Sequence, residues 1–143
     1  MYPAHPEKKF ALTEDWESCD FDDEDAFVRG FIDLVLETPN PTLTIYEYKT
    51  GGIYPEHVSQ RALYGLVGLL LYPEYADVRV IGVYFDKLVN EETTYPRSMI
   101  KEYKYMWNEK LTMIDKDDEY IPMPSFKCRF CDFSKYNGGP CEF

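Results

Sequence analysis

The stretch Thr44-Ile45-Tyr46-Glu47-Tyr48-Lys49-Thr50-Gly51-Gly52 decides how this chain is to be read. Leu43 to Lys49 is β-branched and aromatic almost throughout, the composition of a strand, and the glycine pair ends it. Side chains alternate across a strand, so Ile45, Glu47 and Lys49 share one face. Two residues span ~7 Å of strand. A carboxylate and an ammonium at that spacing, beside a Gly-Gly turn, can serve one reaction centre. The same spacing also describes a surface Glu–Lys pair.

Upstream, Ala26 to Glu37 is rich in Phe, Val, Ile and Leu and reads as a strand. Thr38-Pro39-Asn40-Pro41 is a turn by composition, so the two strands make a hairpin. Asp33 interrupts the apolar run Phe31-Ile32-Asp33-Leu34-Val35. An acid there is costly unless it is paired or holds a metal. Glu7 to Leu12 predicts a short strand before these.

Downstream, Val58, Ala62, Leu66 and Leu70 recur at i+4, with Leu63 and Val67 alongside, so His57 to Tyr72 predicts a helix closed by Pro73. Gly65 and Gly68 are costly inside a helix and imply close packing on the sheet. Gln60 and Tyr64 stand one turn apart on one helix face. Val78 to Phe85 is a third main strand, and Thr93 to Tyr95 can pair with it. Ser98 is the expected N-cap of a second helix reaching about Ile114. Its apolar stripe is Met99, Tyr103, Met106, Trp107, Leu111 and Ile114. The order β-β-β-α-β-α implies an α/β (α+β) fold, a mixed sheet flanked by helices. The expected division is a core over 1–124 and a cysteine-rich, metal-binding tail over 125–143, packed on the core.

The formal net charge is −11, which weighs against a nucleic-acid binder, because phosphate contacts need Lys and Arg. The acid is uneven, however: Glu14, Asp15, Glu17, Asp20, Asp22, Asp23, Glu24 and Asp25 crowd one short stretch. This stretch reads as a solvated turn or hairpin tip. It is no EF-hand, since counting from Asp20 the required Gly and Glu positions hold Asp25 and Phe31. A metal-using enzyme can also offset local acid with its own cations. No apolar run approaches the ~20 residues of a membrane span. Met1 to Phe10 lacks the apolar segment of a signal peptide, so the expected compartment is the reducing cytoplasm.

Asp33 and Glu47 offer two hard oxygen ligands, which suit Mg²⁺ or Mn²⁺. Lys49 would orient or help deprotonate a water, or stabilise charge on a phosphoryl centre. Arg29-Gly30-Phe31-Ile32-Asp33, Glu47-Tyr48-Lys49-Thr50-Gly51 and Gln60-Arg61-Ala62-Leu63-Tyr64 follow one another in that order. In this they resemble the R-G-x-x-D strand, (D/E)-x-K-T-G strand and Q-x-x-x-Y helix of the PD-(D/E)XK nucleases. The resemblance is to the RecB-like branch, with its CRISPR-adaptation nucleases and phage exonucleases, and runs from about Glu7 to Phe85.

The resemblance implies a restriction-endonuclease-like fold and a Mg²⁺- or Mn²⁺-dependent deoxyribonuclease. The activity would be that of an exonuclease on single strands or duplex ends. Its setting would be recombination, repair or phage DNA processing in a bacterial or phage-infected cell, with a recombination or helicase protein as partner. Asp33 and Glu47 would be acidic metal ligands, the Tyr48 carbonyl a further ligand, and Lys49 the catalytic lysine. Gln60 and Tyr64 would contact substrate or order the lysine. Many members carry a metal-binding His on a helix before the first strand, and His5 is the candidate here. The other readings are a non-catalytic DNA-binding or recombination-accessory module with the same fold, and a plain metal-knuckle interaction protein.

Cys128-Arg129-Phe130-Cys131 is a C-x-x-C, and Cys141 follows ten residues after Cys131. With no secretory signal, this clustering reads as a metal knuckle rather than as disulfides. Relatives with such a tail hold a [4Fe-4S] cluster closed by a cysteine far upstream, a place only Cys19 can take. Four thiolates suit iron–sulfur or Zn²⁺, and unligated thiols remain the third reading.

Overall fold

A computed structural model describes residues 2–143. Its strands are β1 (Ala4–Leu12), β2 (Val28–Leu36), β3 (Thr42–Lys49), β4 (Asp77–Tyr84) and β5 (Val89–Pro96). Its helices are α1 (Glu56–Leu71) and α2 (Ile100–Asp115). The strands lie in one sheet in chain order, β1-β2-β3-β4-β5. Only β3 and β4 run parallel; the other neighbours are antiparallel. A parallel pair cannot be joined by a tight turn, and α1 supplies the crossover. The expected mixed, α+β sheet with its helices is what the chain forms, an arrangement consistent with a restriction-endonuclease-like fold.

The core lies between α1 and the middle strands. Leu43, Ile45, Leu66, Val67, Leu69, Val78 and Val80 are fully buried. The two helix glycines earn their place by contact distance. A Cβ on Gly65 would come within 2.4 Å of the Tyr95 ring of β5, and one on Gly68 within 2.9 Å of Val78 Cγ1. The packing expected of these glycines is therefore present, and Gly65 meets the edge strand.

Two elements differ from expectation. β5 is a full strand, paired from Tyr84↔Val89 to Asp77↔Pro96. Its run Asn90-Glu91-Glu92-Thr93-Thr94 has no apolar alternation because it is a largely exposed edge. Tyr95 alone among its residues is buried. Ser98 is not an N-cap: it sits inside a 3-10 turn, Arg97–Met99, that leads directly into α2. Arg97 anchors this junction, donating from Nη1 to the Leu69 carbonyl (2.8 Å), from Nη2 to Tyr72 (2.9 Å) and from Nε to Tyr75 (2.7 Å). These are carbonyls at and just beyond the C-terminal end of α1, where no i+4 donor is left and a cation is favoured. Met99 and Ile114, expected on the apolar stripe of α2, are exposed.

The chain divides into two compact units, one reaching Lys110 and one from Leu111 to Phe143. In the second, 3-10 turns span Phe126–Phe130 and Lys135–Asn137. Cys141 N donates to the Phe133 carbonyl at 2.8 Å. The Asn137 amide donates to the carbonyls of Arg129 (3.1 Å) and Cys131 (2.9 Å). Gly139 lies against the backbone of Phe133, where a Cβ would stand 2.3 Å from its carbonyl carbon.

Candidate active site

The site begins where β2 and β3 part. Their pairing runs Leu36↔Thr44, Val35↔Ile45, Leu34↔Tyr46 and then stops. Asp33 and Glu47 are the next residues beyond that last rung. Ile32 and Val35 are both fully buried although three apart, so the inside–outside alternation of β2 shifts by one across Asp33 and Leu34. Across from Asp33 on β1, between the rungs Pro6↔Leu34 and Lys8↔Ile32, stands Glu7. Its φ of 48° is in the left-handed region that non-glycine residues seldom occupy.

Beyond the last rung, side chains meet backbone groups in place of a ladder. Asp33 Oδ2 accepts the Tyr48 N–H at 2.7 Å, and the Tyr64 hydroxyl donates to the Phe31 carbonyl at 2.8 Å. Asp33 and Tyr48, with Glu7, line a shallow depression of about 380 Å³.

Face alternation in β3 sends Glu47 and Lys49 toward α1, and there they meet. Lys49 Nζ donates to Glu47 Oε1 (2.6 Å) and to Gln60 Oε1 (2.5 Å), and Gln60 Nε2 donates to the Tyr64 hydroxyl (3.0 Å). With Tyr64 donating onward to Phe31, one continuous relay ties β2, β3 and α1 together. It also fixes the amide of Gln60, since its oxygen must face the ammonium and its nitrogen the phenol. The i+4 spacing of Gln60 and Tyr64 made their shared face legible; the contact with Lys49 needed the tertiary fold.

Burial dominates the electrostatics. Glu47 is only 5% exposed, and its Oε2 is buried without a hydrogen-bond partner. Loss of solvent pushes its carboxyl pKa up, the Lys49 hydrogen bond pulls it back, and the Asp33 charge raises it again. Desolvation, with the Glu47 charge second, pushes Tyr64 up to about 12, so its O–H remains a donor at any working pH. An orphaned, buried carboxylate oxygen is costly in a protein without a cation. Glu47 Oε2 is therefore the observation that fits a divalent ion here. Among the described residues, no group of three or more His, Cys, Asp or Glu is arranged to hold a metal. Mg²⁺ does not require one, because it is commonly held by one or two carboxylates with water and substrate oxygens completing its shell.

The other candidates fall elsewhere. His5 Nε2 meets Glu37 Oε1 at 2.6 Å, and its ring lies against Tyr72. Cys19 is half-buried, and desolvation pushes its thiol pKa up. In the second unit the Cys128 thiol accepts the Ser125 N–H at 3.3 Å, Cys131 is exposed and Cys141 half-buried. Among the described residues the three thiols do not form a metal-holding group.

Sequence reasoning missed a second network beside the first. Buried Arg61 donates to the Tyr84 hydroxyl (3.0 Å) and to Glu91 Oε2 (2.9 Å), and His57 Nδ1 lies 3.1 Å from the same hydroxyl. Tyr84 is the β4 partner of Lys49. Burial, then the Lys49 charge, lowers the pKa of His57 and favours its neutral form. An Arg at position 61, on the expected helix and one residue after Gln60, was the available signal.

Asp33 and Glu47-x-Lys49 thus stand on a forked strand pair, with Gln60 and Tyr64 of α1 hydrogen-bonded to them. The profile of the PD-(D/E)XK nuclease superfamily matches residues 3–136, and the chain belongs to that superfamily. No curated protein matches the sequence. Among solved structures, the one titled "Crystal structure of SSO0001" is similar at 15% identity and a TM-score of 0.45, over 91% of this chain and 57% of that one. No helix among the described residues is long and apolar enough to cross a membrane.

Proposed function

We propose that the chain is a Mg²⁺- or Mn²⁺-dependent deoxyribonuclease, an exonuclease of the RecB-like kind acting on single strands or duplex ends. The observation that carries this reading is the unpartnered, buried Glu47 Oε2 beside an ammonium already held by two acceptors. Asp33, Glu47 and the Tyr48 carbonyl would hold the ion. When bound, it would polarise the scissile phosphate and lower the pKa of a water.

The chain's own residues supply the rest. Lys49 is held by Glu47 and Gln60, so its charge is fixed in position before substrate arrives, which is what transition-state stabilisation requires. It can orient the attacking water and offset charge on the phosphoryl oxygens. Tyr64, locked as a donor to Phe31, keeps Gln60 from turning its amide away from the lysine. The non-catalytic accessory module is the other reading, and the intact Asp33, Glu47 and Lys49 favour the enzyme. End-labelled single- and double-stranded DNA, incubated with Mg²⁺, Mn²⁺ or EDTA, tests it. Loss of label from the ends with either ion and none in EDTA is expected. Binding without cleavage under all conditions leaves the accessory module instead.

For the tail, the proposal is a thiolate site built on Cys128, Cys131 and Cys141, holding [4Fe-4S], with Zn²⁺ as the alternative. Three cysteines within one small unit support it. Anaerobically prepared protein should be brown if iron is bound and colourless with zinc. Protein that carries neither metal has ordinary thiols. DNA in recombination, repair or phage processing, and a recombination or helicase partner, complete the proposal.

A further inference from the structure

We propose that the exposed pair Tyr48–Phe85 is a stacking platform for an unpaired base of the DNA strand being cleaved. This rests on the nuclease reading and adds how the substrate is recognised. The rings are stacked with centroids 5.6 Å apart and planes 29° from parallel. Tyr48 is 43% exposed and Phe85 54%, so the pair leaves aromatic surface in water where a core placement would have hidden it. Its position is tied to the centre. Tyr48 stands between Glu47 and Lys49 in the chain, with its ring on the opposite face of β3; its backbone N–H is held by Asp33 at 2.7 Å, and it lines the depression beside Asp33.

Phe85 is equally fixed. It opens the 3-10 turn Phe85–Lys87, immediately after Tyr84, the β4 partner of Lys49. The next residue, Asp86, accepts the Gly51 N–H at 2.5 Å, pinning this turn to the Gly51-Gly52 turn that ends β3. Gly51 has a φ of 86° and open space where a Cβ would be. A pre-set aromatic surface therefore sits on the face of β3 away from α1, bordering the depression beside Asp33.

The charge of the chain favours this mode of recognition. At −11 it has few cations to spare for a phosphate backbone. A base stacked on an aromatic ring draws affinity from its π-face and is indifferent to sequence, but it must first be unpaired. The platform thus selects single strands or frayed ends.

The experiment measures affinity in Ca²⁺ for three labelled probes: a single-stranded oligonucleotide, the same strand with abasic sites, and a blunt duplex. Wild type should bind the intact single strand about 5- to 100-fold tighter than the abasic one, the range of one stacked base. Phe85→Ala should lose that preference, and Phe85→Trp should keep it. Thermal melting of each variant separates loss of fold from loss of binding, and a half-exposed side chain is a mild site to substitute. Equal wild-type affinity for intact and abasic strands overturns the platform. So does unchanged binding by a folded Phe85→Ala. Failure of the nuclease reading looks different: wild type would then cleave no DNA in Mg²⁺ or Mn²⁺, whatever Phe85 does to binding.

Discussion

Lys49 carries two short hydrogen bonds from one ammonium, and their geometry sets what its removal should do. It donates to Glu47 and Gln60 and, while protonated, cannot ligate a cation. Lys49→Ala should lower turnover on the order of 100- to 1000-fold, as loss of one preorganised charge does. Mn²⁺ affinity should be unchanged or slightly tighter, since a repelling charge is gone. Calorimetric titration beside single-turnover cleavage separates the two; loss of Mn²⁺ binding in a folded variant would contradict the role.

Glu47 makes a pH prediction of opposite sense to most carboxylates. Its pKa is raised in the fold, chiefly by burial, so it ionises less readily there than in the unfolded chain. Its contribution to metal-free stability is full below the ordinary Glu value of 4.5 and is lost as pH rises through the raised value. Glu47→Gln should lack that loss in urea melts across pH without added metal. The shared face of Glu47 and Lys49 was legible from strand alternation. The place of Glu7 opposite Asp33 was not, because it depends on β1 pairing and a left-handed residue that no pattern announces.

Elements were legible where one face is buried and illegible where neither is. β3 and α1 show their periods because Ile45, Leu66 and Leu69 are fully buried. β5 hides behind polar residues at the sheet edge, and the start of α2 is set by Arg97 reaching the end of α1 rather than by Ser98. Gly65→Ala tests the packing of α1 on that edge. The added Cβ would meet the Tyr95 ring at 2.4 Å, so the gain in helix propensity should be outweighed by overpacking of about 1–3 kcal/mol. Unchanged or increased stability in urea would mean that Tyr95 moves aside freely. The relay suffers too if α1 shifts, because Gln60 and Tyr64 ride on the same helix.

For the whole molecule, net charge would govern the proposed encounter with DNA. At −11 the metal-free chain repels phosphate, and filling the acidic centre removes part of that repulsion. Affinity for DNA should be weak in EDTA and rise in Ca²⁺; equal affinity in both would place binding on a basic surface away from Asp33. The family was legible at this scale because three ordered motifs each mark a different element of one site. In the tail the sequence offers cysteine spacing alone, and a thiolate site is not assembled before its metal binds. If such a site forms, Cys131→Ser should lower the melting temperature while leaving the intrinsic cleavage chemistry at Asp33 largely intact, compared by differential scanning calorimetry and single-turnover assay.

Cleavage of end-labelled DNA by wild type and Asp33→Ala, side by side in Mn²⁺, tests the central claim most directly. Asp33 contributes charge and one bond to Tyr48 N–H, with little packing, so the variant should stay folded by circular dichroism. Metal-dependent cleavage by wild type and none by folded Asp33→Ala is the expected result. Wild-type turnover in the variant would contradict the assignment of the site.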